Sequence, residues 1–197
     1  MTPKFTILAK MGKTTSPGVA ELPTDLLLLT KVAGLDLGPG PQSVDLSLQG
    51  LISRKINQRK FRGDLAKSIR FDLDPQVFKE SPQRHVLLVG IGSTQKFDRA
   101  AACKVFGELI DEALKLGVEH VTIPFPANRT TGPKLNLKGT AHILKEVVEE
   151  KFASLDDSVA LKEIVIYCTP QARTHIKAGL EAPVRTKGSC CCTSAQG

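Results

Sequence analysis

The segment His85-Val86-Leu87-Leu88-Val89-Gly90-Ile91-Gly92 constrains the fold more than any other part of this sequence. It is short, aliphatic and closed by glycines, and so predicts a strand buried on both faces. Such a strand needs a layer of helices on each side of its sheet. The run Leu26-Leu27-Leu28-Leu29, within a strand expected over Asp25 to Thr30, repeats the same demand.

The neighbouring segments supply the helices. Asp98 is placed to cap a helix running to about Leu116, with Ala102, Val105, Phe106, Leu109, Ile110 and Ala113 on one face and Gly117 as its stop. A strand over His120 to Phe125 follows. Thr140 is expected to cap a second helix carrying Ile143, Leu144, Val147, Val148 and Phe152. After a strand at Ile164 to Cys168, Thr169-Pro170 opens a last helix to about Leu180, proline suiting the first helical position. Nearer the N-terminus, Lys4 to Lys10 reads as a strand, Gly34 to Pro41 as a breaker-rich loop, Ser43 to Ile56 as one amphipathic helix and Arg70 to Leu73 as a weak strand. Strands alternating with helices imply right-handed crossovers. The expected fold is a three-layer α/β/α sandwich around a mainly parallel sheet. One domain over residues 1–182 accounts for it, with 183–197 as a disordered cysteine-rich tail.

Composition agrees with a folded chain. Of 197 residues 41% are hydrophobic, 24% charged and 5% aromatic, with no tryptophan, so the core must be aliphatic. No apolar stretch approaches the roughly 20 residues of a membrane helix, and no secretory leader is evident. The expectation is a soluble cytoplasmic protein. Cys103 and Cys168 fall within apolar periodic segments and the other three cysteines are consecutive, which does not read as a disulfide framework.

The net charge of +7 is concentrated. Arg54, Lys55, Arg59, Lys60, Arg62, Lys67 and Arg70 are opposed in their window by Asp64 alone. Such a cluster could meet nucleic-acid phosphates or an acidic partner, although a solvated basic face, which charge runs usually are, is the commoner explanation.

Read together, Gln49-Gly50-Leu51-Ile52-Ser53, the Phe61-Arg62-Gly63 step, the strand Val86 to Gly92 and the alanine-rich helix ending at Leu116-Gly117 resemble the N-terminal domain of the leucine (cytosol) aminopeptidase family. The resemblance covers about residues 22–182 and implies a macrodomain-like sandwich that supports assembly and regulation. It also implies that the family's two-metal chemistry belongs to a C-terminal domain bearing an Asn-Thr-Asp-Ala-Glu-Gly-Arg motif. That motif is absent here, so no aminopeptidase activity, no metal and no cofactor are expected.

His85, His120, His142 and His175 are dispersed and lack metal-ligand spacing. Cys168 would end a strand just before a helix N-terminus, where a thiol's pKa can be lowered. Gly90, Ile91, Gly92 and Ser93 end another strand, a position where backbone amides can approach a phosphate. ADP-ribose or a related nucleotide is therefore a possible ligand by fold analogy, although the Asn-Ala-Ala-Asn segment and triple-glycine loop of ADP-ribose-binding macrodomains are missing, and the loops at Gly34 to Pro41 and Thr130 to Pro133 are poor substitutes. Cys190, Cys191 and Cys192, with Arg185 and Lys187 upstream, are candidates for lipidation, the one route to a membrane. The expected role is a non-catalytic binding or assembly module with a protein partner or a second copy of itself. Nucleotide recognition and nucleic-acid binding through Arg54 to Arg62 are the alternatives.

Overall fold

The computed structural model describes residues 2–9, 17–125, 135–155 and 159–184. The chain runs β1 (Lys4–Ala9), β2 (Thr24–Val32), α1 (Pro39–Ser47), α2 (Leu51–Arg59), β3 (Ser68–Asp72), β4 (Gln83–Gly92), α3 (Arg99–Leu116), β5 (His120–Pro124), α4 (Leu137–Ala153), β6 (Glu163–Cys168) and α5 (Pro170–Leu180). The strands form one sheet in the order β1-β6-β5-β2-β4-β3, parallel except for β3, which runs antiparallel to β4 at the edge.

Alternation along β2 decides how the layers form. Leu26 and Leu28 face a core shared with α3, α4 and α5, while Leu27 and Leu29 face a second core shared with α1 and α2. All four are at most 2% exposed. Their four-residue run is thus explained by burial on both faces of a central strand. The structure is the expected α/β/α sandwich.

Two local expectations are corrected. The single helix over Ser43 to Ile56 is two helices, because Gln49 (φ 54°) and Gly50 (φ 77°) turn left-handed between them. Buried Asp45 holds this break together: its carboxylate accepts the amides of Ile52 (2.8 Å) and Ser53 (3.1 Å) and so caps α2. At α4 the cap is Asn136, whose side chain accepts the amide of Gly139, and Thr140 lies buried inside the helix. Asp98 and Gly117 bound α3 as expected.

The crossovers give the sheet two unlike ends. Helices α3, α4 and α5 begin at the carboxyl ends of the parallel strands, and so does the turn from α2 into β3. The ends of α1 and β3 lie at the amino ends of the strands, beside the starts of β2 and β4.

Candidate functional site

Ligands of open α/β sheets bind outside the carboxyl ends of the strands. At Gly90 the amide donates to the Lys67 carbonyl and the carbonyl accepts the Ala66 amide, both at 2.8 Å. The Gly92 amide donates to Gly63 at 3.0 Å, and its carbonyl accepts the Ala33 amide at 2.9 Å. A Cβ on Gly90 would lie 2.1 Å from the Asp64 carbonyl oxygen. These glycines therefore let residues 63–67 lie directly against β4. Ile91 is in the core, and Ser93 is the exposed member of the four.

The same edge carries part of the basic segment. The Arg62 carbonyl accepts the Gly34 amide at 3.1 Å, which ties the turn after α2 to the turn after β2. Arg59, Lys60, Arg62 and Lys67 are exposed there, Lys60 in the left-handed conformation that ends α2 (φ 50°). Arg54 is exposed and Lys55 half-buried earlier on the helix. Arg70 leaves the group, 3.0 Å from Glu112 on α3. The structure thus gathers the glycine-closed strand end and the basic turn, two features that sequence spacing kept apart.

Lys31 was missed by sequence reasoning. It is 7% exposed near the end of β2, and its ammonium donates to the carbonyls of Leu35 and Val32, with no carboxylate partner among the described residues. The alternation of β2 is the signal that could have found it, since Leu27, Leu29 and Lys31 share one face.

Neither strand-and-helix cysteine offers a thiolate. Cys168 is free and buried, and burial pushes its thiol pKa up against the pull of Arg173, opposite to the lowering expected from the start of α5. Cys103 is disulfide-bonded, against the expectation from cysteine spacing. Cys190, Cys191 and Cys192 and the loop Thr130 to Pro133 lie outside the described residues.

Three of the four histidines each face one carboxylate: His85 Nδ1 is 2.8 Å from Asp72, His120 Nδ1 3.4 Å from Asp25 and His142 Nε2 3.3 Å from Glu146, while His175 is exposed on α5. Among the described residues no three His, Cys, Asp or Glu side chains converge as metal ligands, and no helix is long and apolar enough to cross a membrane.

At the amino edge the surface has a different character. A groove of about 980 Å³ opens between the end of α1 and the segment leading into β4, lined by Ser43, Leu46, Ser47, Val77, Phe78 and Pro82 among others. Leu46 is 74% exposed and Val77 61%.

With this geometry in place, the comparisons decide the family. The sequence model of the cytosol aminopeptidase family, N-terminal domain, matches residues 28–165. The chain belongs to that family. Among solved structures, it is similar to a tomato leucine aminopeptidase variant with a TM-score of 0.63 and 18% identity, over 91% of this chain and 36% of that one. It thus spans about a third of that aminopeptidase. A Trypanosoma brucei macrodomain in complex with ADP-ribose matches with a TM-score of 0.66 and 15% identity, covering 88% of this chain and 67% of that one. The macro domain of ganglioside induced differentiation associated protein 2 gives 0.66 and 13%, covering 88% and 81%. At these identities the likeness is one of fold, and the macrodomain-like expectation holds. No curated protein sequence matches the chain.

Proposed function

We propose that this aminopeptidase-family N-terminal domain is a non-catalytic assembly module of the cytoplasm that docks a leucine aminopeptidase metallopeptidase domain, on the same or another chain. The amino-edge groove carries this reading. Leu46 and Val77 are exposed members of its lining, with Phe78 and Pro82 beside them and Glu21, Lys79 and Glu80 around them, which suits an apolar contact with a polar rim against a protein surface. The occupant is chosen by family and length: the chain spans 36% of the tomato aminopeptidase chain, and the remainder of such a protein is what this domain accompanies.

ADP-ribose is the competing ligand, suggested by the neighbouring fold. Two of the amides that would cradle its phosphates, on Gly90 and Gly92, already serve backbone carbonyls, which favours assembly over nucleotide recognition.

Calorimetric titration separates the readings. Assembly predicts saturable binding to a separately produced metallopeptidase domain, weakened about tenfold or more by Leu46→Asp with Val77→Asp, because truncating buried apolar anchors costs about 1–2 kcal/mol each. It predicts no heat with ADP-ribose. Micromolar ADP-ribose binding without affinity for the metallopeptidase domain would overturn it.

A further inference from the structure

Beyond β3 the sheet has no further strand among the described residues, and its outer edge is open. The antiparallel register sets Ile69 opposite Leu88 and Phe71 opposite Val86, and the Leu73 amide donates to the Arg84 carbonyl at 2.9 Å. Bonded residues alternate along such a pair, so the backbone groups of Ile69 and Phe71 turn to β4 and those of Ser68, Arg70 and Asp72 turn outward. The amides and carbonyls of these three meet no partner among the described residues.

A row of free donors and acceptors is a template for another strand, and folded chains commonly blunt it with lysine, proline or a bulge. None of these interrupts Ser68–Asp72. Arg70 does bring a charge, but its guanidinium lies along the chain's own surface, 3.0 Å from Asp72 and 3.0 Å from Glu112. At the opposite edge, β1 carries Lys4 and no carboxylate, so no charge pairing would select a partner there.

The charges of β3 do select one. Arg70 and Asp72 stand two positions apart, on one face of the strand, and both turn their backbone groups outward. Suppose a second copy is brought antiparallel by a two-fold axis at Phe71. Arg70 then stands opposite Asp72 of that copy, and Asp72 opposite its Arg70. Each of these pairs exchanges both backbone bonds and joins opposite charges. An axis at Arg70 would set that arginine against its own copy, and an axis at Ile69 would set it against Ser68. The strand is therefore complementary to itself in one register, as a two-fold interface requires. An unrelated extended peptide would meet the same donors and acceptors without this match.

We propose that two copies of this chain pair through β3, antiparallel about Phe71, into one continuous sheet. Ile69 and Phe71 are already at most 4% exposed, so the contact adds little apolar burial and makes a weak, reversible dimer. It is separate from the amino-edge groove, and Leu46→Asp with Val77→Asp leaves it unchanged.

Amide exchange followed by NMR tests this as chain concentration rises to about 1 mM, enough to populate a dimer of millimolar Kd. In dilute solution the amides of Arg70 and Asp72 exchange freely while β4 protects those of Ile69 and Phe71; in concentrated solution Arg70 and Asp72 slow and the β1 amides do not. Arg70→Glu and Asp72→Lys, each alone, set like charges opposite one another and weaken self-association by about tenfold or more in sedimentation equilibrium. Mixed, they associate again, because one strand is then wholly acidic and the other wholly basic. The exchange of the parent chain decides the matter even where a variant fails to fold. The proposal is overturned if exchange at Arg70 and Asp72 is independent of concentration, if the β1 amides slow in their place, or if both single variants self-associate like the parent.

Discussion

At Gly90 the need for glycine comes from a neighbour rather than from the backbone angle. Its missing Cβ makes room for the carbonyls of Asp64 and Gly63, at 2.1 and 2.5 Å from where that carbon would stand. Gly90→Ala is therefore expected to force residues 63–67 off β4 and to destabilise the fold by about 3 kcal/mol, the upper range for overpacking a tight contact. Urea denaturation measures it; an unchanged midpoint would mean that the 63–67 segment gives way freely. In the sequence this glycine looked like part of a phosphate loop, because one chain read alone shows the freedom of a glycine and not what lies against it. For Lys31 the alternation of β2 shows the buried face but not the partners. Its carbonyl partners come from the turn over Val32 to Leu35, which no local pattern announces.

Between elements, carboxylates do much of the joining. Asp25 at the start of β2 accepts the amides of Glu119 (3.1 Å) and His120 (3.0 Å) at the start of β5 and lies 3.5 Å from Arg84 on β4. Burial alone would raise its pKa, but the His120 and Glu119 amides, the His120 ring and Arg84 together hold it below the ordinary aspartate value. Asp72 on β3 is likewise held low, His85 and Arg70 outweighing burial. A folded-state pKa below the unfolded value stabilises at pH above about 4 and is lost as pH falls through the folded value. Asp25→Asn should thus lower Tm at neutral pH and flatten the acid limb of a Tm–pH profile below about pH 4. An unchanged acid limb would remove Asp25 from that account. The elements themselves were legible where apolar period and caps agreed, as in β4 and in α3 between Asp98 and Gly117. The break between α1 and α2 was not, because the apolar positions Val44, Leu48 and Ile52 keep a helical spacing across it while Gln49 and Gly50 reverse the chain.

Across the whole molecule, the two ends of the sheet divide the surface by chemistry. At the carboxyl edge the end of β4 is closed by backbone pairing at Gly90 and Gly92, and the turn beside it carries Arg59, Lys60, Arg62 and Lys67. The amino edge opens a mixed groove in which Leu46, Val77, Phe78 and Pro82 stand among Glu21, Lys79 and Glu80. The layered architecture was readable from strands with four or more consecutive aliphatic residues, since those admit burial on both faces only. The groove was not, because Leu46 and Val77 lie 31 positions apart and meet only through the return of α1 and β3 to the same edge. Hydrogen exchange of the chain mixed with a leucine aminopeptidase metallopeptidase domain is the most direct measurement of the proposed docking. Assembly through the groove predicts slowed exchange confined to residues 43–49 and 76–82, with the carboxyl edge unaffected; protection at 33–38 and 60–67 instead, or none at all, would contradict it.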